Sequence, residues 1–210
     1  MLKFMIVDDH SIVREGLIKL LMAGFPTAKF YEAGSASELM TVNNNLKLDL
    51  VILDINLPGR NGLEILKEFK SEHPKLPVVI FSLYPEEQYA IRAIKAGASA
   101  YLSKSTPSQE IIEIVKKVLD GGVHLTPLLS NLISEELRGV STDHPHNTLS
   151  DREHQVFLLI ASGKNITSIG AELSLSVKTI SVYRANILKK MNLKNNAEIT
   201  HYAFKNGLVE

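Results

Sequence analysis

The sequence predicts two domains of different class: an α/β doubly wound domain over residues 1–120, and an all-α domain of four helices over 148–210. Three observations predict this. Five short apolar runs alternate with five helical patterns before Gly121-Gly122, the signature of a parallel sheet with right-handed crossovers. After residue 148 the apolar residues recur at helical spacing. A length of 210 residues suits two domains better than one.

Leu2 to Val7 is the first strand, apolar apart from Lys3, and Ile12, Val13, Leu17, Leu20 and Leu21 form a helical stripe after it. Lys29 to Ala33 is a short second strand, and Ser35 with Glu38 has the spacing of a capping box for the next helix. Val51 to Leu53 is aliphatic throughout and reads as a strand buried on both faces. Pro58-Gly59 forces a turn, and a helix carrying Leu63, Leu66 and Phe69 closes before Pro74. The Val78–Phe81 strand leads through Pro85 to a helix with Ile91 and Ile94, ended by Gly97. The Ala100–Ser103 strand leads to Thr106-Pro107-Ser108-Gln109, a second capping-box spacing with proline at the first helical position, and Ile111, Ile112, Val115, Val118 and Leu119 face inward.

Chemistry gathers where these strands end. In an open parallel sheet, sites lie just beyond the carboxyl ends of the strands. The first strand ends at Asp8-Asp9, the third at Asp54, the fourth at Ser82 and the fifth at Lys104. A strand order of 2-1-3-4-5 puts all four ends side by side. A lone strand-end Asp is commonly a helix cap or an ion-pair partner. Three carboxylates in one crevice repel, and a divalent cation keeps them ionised together. All-oxygen ligands with room for water suit Mg²⁺. Asp54 beside that metal is a nucleophile for a phosphoryl group, and Ser82 and Lys104 can meet the phosphoryl oxygens.

Residues 121–147 read as a linker. Thr126-Pro127 starts a segment with Leu128, Leu129, Leu132, Ile133 and Leu137 at helical spacing, which needs a partner surface, and Gly139 stops it. Val140 to Asn147 reads as a flexible tether, in which His144 and His146 are solvated loop residues rather than metal ligands. In the last domain, Ser150 with Glu153 forms a capping box, a short helix spans about 167–173, Ser176 caps a longer one with Ile180, Ile187 and Met191 on its core side, and a fourth covers Ala197 to Asn206. A short helix, a tight turn and a longer helix fit a helix-turn-helix, and equally a small bundle that binds protein.

Formal net charge is zero, yet residues 1–120 carry −1, 121–147 carry −2 and 148–210 carry +3. The last domain is thus the basic one, the direction a nucleic-acid partner requires. The chain has no cysteine, which excludes disulfides and thiolate metal sites and agrees with a reducing compartment. No apolar run reaches membrane-spanning length and no signal peptide is visible, so a cytoplasmic protein without a membrane partner is expected.

Asp8-Asp9, Asp54, Ser82 and Lys104, in this order over residues 1–120, resemble the receiver domain of two-component response regulators, whose fold is flavodoxin-like. The resemblance implies Mg²⁺-dependent phosphoryl transfer from a sensor histidine kinase to Asp54. It also implies a metal held by Asp8, Asp9, Asp54 and the backbone carbonyl of Asn56, and no enzyme activity beyond self-phosphorylation and autodephosphorylation. Tyr101 falls at an aromatic switch position, where the ring turns inward when the Ser82 hydroxyl shifts. Asn56 and Tyr84, two positions past Asp54 and Ser82, fall where phosphoryl lifetime is tuned. Leu83 departs from the family, where a small residue is common, and could narrow access to Asp54.

Leu149-Ser150-Asp151-Arg152-Glu153 and the run from Ser176 to Met191 resemble the LuxR-type helix-turn-helix over about 148–208, and with the receiver they point to the NarL/FixJ class. The resemblance implies double-stranded DNA as partner and a homodimer when phosphorylated. Lys178, Thr179, Arg184 and Lys189 suit phosphate contacts. Ser181, Val182 and Ala185 fall at base-facing positions, where small and apolar side chains favour thymine methyls. Ile199, Tyr202 and Ala203 are the expected dimer contact, addressing half-sites about one duplex turn apart. Ile166, Ser168 and Gly170 depart from the family's second helix, and Tyr183 stands where His is common. Two other readings are open: a regulator acting through protein contacts with a vestigial DNA domain, and a haloacid-dehalogenase-like phosphatase. The latter needs an Asp-x-Asp loop, whereas Asp8 and Asp9 are adjacent.

Overall fold

The computed structural model describes residues 1–43, 46–137 and 144–209. The chain divides into two compact units, Met1–Ile133 and Ser134–Glu210. None of the described helices is long and apolar enough to cross a membrane.

The first unit contains strands β1 (Lys3–Val7), β2 (Lys29–Ala33), β3 (Leu50–Leu53), β4 (Val78–Ser82) and β5 (Ala100–Ser103). They alternate with helices α1 (Ser11–Gly24), α2 (Ala36–Asn43), α3 (Gly62–Glu72), α4 (Glu86–Lys95) and α5 (Ser108–Leu119). All pairings are parallel and the order is β2-β1-β3-β4-β5, as the alternation of patterns predicts. β1, β3 and β4 are buried along almost their whole length, because helices cover both faces. On one face Phe4, Ile6, Leu50, Ile52, Val79 and Phe81 pack with Leu17, Leu21, Ile111, Val115 and Val118. The alternate residues Met5, Val7, Val51, Leu53 and Ile80 are equally buried on the other.

Some local expectations change. Ile12 leaves the α1 stripe and is 81% exposed. In α4 the buried side is Tyr89, Ala90 and Ala93, with Ile91 and Ile94 only half-buried. Ser35 caps α2, but Glu38 takes the N–H of Gly34 instead of that of Ser35. Thr106 forms no capping box: α5 begins at Ser108 with Pro107 at the N-cap and no side-chain capping bond.

Helix α6 (Pro127–Leu137) follows, with Leu129 buried. Gly139 and residues 140–143 lie outside the described residues, as do the side chains of Leu132 and Leu137. The expected tether is structured at its end, where Pro145–Thr148 form a 3-10 turn. His144 and His146 are not free loop side chains. Their rings stack at 5.1 Å, and His146 Nδ1 lies 2.8 Å from the Tyr202 hydroxyl.

The second unit holds α7 (Asp151–Ala161), α8 (Ile166–Leu173), α9 (Val177–Lys190) and α10 (Asn196–Lys205). α7 packs against α9 and α10, and α8 against α9. Val156, Phe157, Ile169, Leu173, Ile180, Ile187, Ile199 and Ala203 are its buried apolar residues of near-zero exposure. The Ser150 capping box is complete, with Glu153 returning to the Ser150 N–H. Ser176 caps α9 through the N–H of Thr179 at 3.0 Å.

Candidate functional site

Register brings the strand ends together. Val7 pairs with Leu53, and the N–H of Asp54 donates to the Val7 carbonyl at 2.9 Å, so Asp8 and Asp54 leave neighbouring strands at one level. Ser82 pairs with Ser103, and the N–H of Lys104 donates to the Ser82 carbonyl at 2.7 Å. Lys104 then reaches across the sheet edge. Its Nζ lies 2.5 Å from Asp8 Oδ2 and 2.8 Å from Asp54 Oδ2, with all three side chains almost fully buried.

Burial raises the pKa of Asp54, against the opposing pull of Lys104. Burial works against the charge of Lys104 too, but the attraction of Asp54 and Asp8 outweighs it and its pKa rises. One ammonium is thus shared by two carboxylates. Asp54 Oδ1 is buried without a hydrogen-bond partner, and Asp8 Oδ2 has the ion pair alone. Asp9 is more open, and ligand atoms of Asp8, Asp9 and His10 lie within 4.8 Å of one another. Unused carboxylate oxygens in an under-neutralised acidic cluster fit a hard divalent cation. Asn56 is half-buried and pairs with Asn61 across an isolated bridge in the β3–α3 loop.

Ser82 is fully buried, and its hydroxyl accepts the N–H of Tyr84 at 3.3 Å. Tyr101 is buried with its ring already inward, donating its hydroxyl to the Tyr84 carbonyl at 2.8 Å. Burial pushes its pKa far up, so it remains a donor. Tyr84 stacks on Tyr89 at 4.8 Å. Leu83 is exposed and, with Ile12 and Val13, lines a groove of about 360 Å³ that reaches His10 and Lys104.

Sequence reading passed over three positioning residues. His10 lies 2.7 Å from Asp9 and 3.3 Å from Asp8, and its place directly after the acidic pair was the available signal. Arg14 donates to the Asp8 carbonyl at 2.7 Å while paired with Glu32. Gly62 donates to the Ile55 carbonyl, and a Cβ there would sit 2.2 Å from the Asp54 carbonyl oxygen. That near-contact is tertiary, so no sequence spacing reveals it.

In the second unit, Ser174 takes a left-handed conformation between α8 and α9. Gly170 is buried, with the Leu175 carbonyl 2.8 Å from where its Cβ would lie, so the departure from the family at this position serves a close turn. On α9, Lys178, Ser181, Val182, Ala185 and Lys189 are exposed, and so is Asn186 on the same side as Val182. Val182 is 54% exposed, far more than a core role would leave it. Thr179 and Arg184 are half-buried and already engaged: Thr179 with Ser176 at 2.7 Å, Arg184 Nε with Asn196 at 2.6 Å.

The dimer expectation is corrected. Ile199 and Ala203 are completely buried, and Tyr202 is turned to His146. These residues build the domain core. The exposed stripe of α10 is Ala197, Thr200, His201 and Phe204, with Phe204 67% exposed.

Comparison with known proteins agrees with this layout. Residues 4–116 match the family model "Response regulator receiver domain", and residues 147–203 match "Bacterial regulatory proteins, luxR family". The chain is 30% identical to the response regulator GacA of Pseudomonas protegens over 100% of its length and 99% of that protein. It is 27% identical to the response regulator UvrY of Escherichia coli, covering 99% and 96%. A LuxR-family two-component response regulator from Aurantimonas superposes with a TM-score of 0.58 at 31% identity, over 64% of this chain and 96% of that one. RcsB of Salmonella enterica serovar Typhimurium, solved on the promoter rprA with the phosphomimetic BeF3⁻, shares the fold at a TM-score of 0.62 and 20% identity, covering 96% and 98%. The chain belongs to the response regulators of the NarL/FixJ class, joining a receiver domain to a LuxR-type DNA-binding domain.

Proposed function

We propose that Asp54 is the phosphoacceptor and that its phosphorylation by a sensor histidine kinase controls dimerisation and DNA binding through α9. The carrying observation is Asp54 Oδ1, a buried carboxylate oxygen with no hydrogen bond, beside a lysine shared with Asp8. In the transfer, an oxygen of Asp54 bonds to phosphorus as the bond from phosphorus to the kinase imidazole breaks; the electron pair of that bond stays on the ring nitrogen, and the imidazole leaves neutral because its other nitrogen already carries a proton. Lys104 then meets a phosphoryl oxygen in place of the Asp54 carboxylate, and the Ser82 hydroxyl donates to another. Mg²⁺ held by Asp8, Asp9, Asp54 and the Asn56 carbonyl would supply neutralising charge for those oxygens. Asn56 and Tyr84 rim the pocket and tune the lifetime of the acyl phosphate.

In this reading α9 enters the major groove. Ser181, Val182 and Ala185 meet base edges, with Asn186 added on the same face. Lys178 and Lys189 meet phosphates, while Thr179 and Arg184 hold the helix ends as well as offering phosphate contacts. RcsB on promoter DNA supports this mode by likeness of fold. Two copies pair through Ala197, Thr200, His201 and Phe204 of α10, not through the buried residues first expected. The site of action is the cytoplasm, which holds both kinase phosphohistidine and chromosome.

The test is retention of fragmented genomic DNA by the whole chain, with and without acetyl phosphate and Mg²⁺. Sequence-selective retention that rises with phosphorylation and falls steeply with salt is expected. Retention indifferent to phosphorylation, or to loss of Lys178 and Lys189, contradicts the proposal and favours a regulator working through protein contacts.

A further inference from the structure

We propose that Glu86 and Thr126 form a latch through which the phosphorylation state of the Asp54 crevice sets the order of the first turn of α6, the helix that carries the chain into the C-terminal unit. The inference rests on Asp54 being the phosphoacceptor, but the latch contact itself does not.

Thr126 is the N-cap of α6. Its hydroxyl oxygen accepts the N–H of Leu129 at 3.1 Å, and its carbonyl accepts the N–H of Ser130 at 2.9 Å. The same hydroxyl donates to Oε1 of Glu86, the first residue of α4. Donation to a carboxylate makes that oxygen a better acceptor, so Glu86 strengthens the cap from outside. The Glu86 charge also stands in the first turn of α4, and α4 has no side-chain cap of its own. One carboxylate thereby serves the positive ends of two helices.

Glu86 is four residues beyond Ser82. Between them, the Tyr84 N–H is held by the Ser82 hydroxyl at 3.3 Å and the Tyr84 carbonyl by the Tyr101 hydroxyl at 2.8 Å. Turning the Ser82 hydroxyl toward a phosphoryl group takes the acceptor from Tyr84. The 83–85 loop and the start of α4 then settle differently, and Glu86 moves with them. The other hand of the latch is fixed elsewhere: the N–H of His124 donates to the Ser99 carbonyl at 2.8 Å, at the far end of β5 from Lys104. Thr126 therefore cannot simply follow Glu86. Both states differ by a defined contact, as a population shift requires.

The experiment is hydrogen exchange on the whole chain with and without acetyl phosphate and Mg²⁺, with phosphoryl uptake read by intact mass. Phosphorylation is expected to speed exchange at the Leu129 and Ser130 amides about two- to fivefold, the size of a charge lost from a helix N-terminus, while α5 amides stay unchanged. Glu86→Ala should show that rise without phosphorylation and no further response, and Thr126→Val, which removes the cap itself, should exceed it. Thr126→Ser, which keeps the hydroxyl, should behave as the parent, whereas Glu86→Gln, which keeps an acceptor but not the charge, should fall between the parent and Glu86→Ala. Phosphorylated protein with unchanged exchange at 129–130 overturns the coupling. Glu86→Ala at the parent rate overturns the latch, and this arm needs no phosphorylation. A chain that takes up no phosphoryl group overturns the phosphoacceptor reading instead.

Discussion

A methyl group at position 62 would lie 2.2 Å from the Asp54 carbonyl oxygen and 2.6 Å from the Ile55 Cα, both backbone atoms that cannot swing aside. Alanine gains about 1 kcal/mol over glycine in a helix, but overpacking against backbone costs roughly 1–3 kcal/mol, so the clash wins. Gly62→Ala is expected to lower the urea midpoint and to slow phosphoryl uptake at Asp54. Lys104 poses the opposite problem, since removing it strands two buried carboxylates. Lys104→Met should cost roughly 3–5 kcal/mol in metal-free buffer, as breaking a buried pair does, and added Mg²⁺ should restore part of the loss. Its pH dependence follows from Asp54. A carboxylate whose folded pKa is raised above 3.8 favours folding fully below that value, and the contribution is lost as pH rises through the folded pKa. Without Lys104 that rise grows, so the deficit should widen toward neutral pH in denaturant titrations.

At the scale of elements, Glu153 ties α7 to α9. It caps α7 at the Ser150 N–H and receives Lys190 Nζ at 2.6 Å. Burial opposes its charge, yet Lys190 and the Ser150 N–H outweigh it, so its pKa falls below 4.5. The stability it contributes is present above that value and lost as pH drops through the folded pKa. Glu153→Gln should be weaker at neutral pH and insensitive to acid in that window, measured by exchange of the α7 amides. Elements also show what the sequence carries. β1, β3 and β4 were legible because strands buried on both faces are almost uniformly apolar, and their ends were legible because a charge follows β1 and β3 directly and a serine closes β4. The core of α10 was misjudged for a physical reason. Ile199 and Ala203 form an apolar stripe, and periodicity does not say whether a stripe meets its own domain or a partner. The outward face is marked instead by one misplaced residue, Phe204. Thr106-Pro107 reads as a cap, but the turn after Lys104 uses those residues differently. His10 and Gly62 act through contacts that exist only once the β3–α3 loop and the β1 end are folded.

For the whole molecule, dimerisation and acceptor chemistry are separable. Phe204→Asp places a charge on the most exposed apolar residue of the α10 stripe while the buried side of the helix is untouched. Burial of one Phe contributes about 1.5–3 kcal/mol and a symmetric pair loses two, so self-association of the phosphorylated protein should weaken by at least about 100-fold in sedimentation velocity. Phosphoryl uptake and circular dichroism should remain as in the parent. The central claim is that the crevice of Asp8, Asp54, Ser82 and Lys104 accepts a phosphoryl group at Asp54. Phosphate-affinity electrophoresis of the whole chain and of Asp54→Asn, each incubated with acetyl phosphate and Mg²⁺, tests it most directly. A single retarded band in the parent that is absent from the variant is predicted, and undiminished retardation of Asp54→Asn would contradict it.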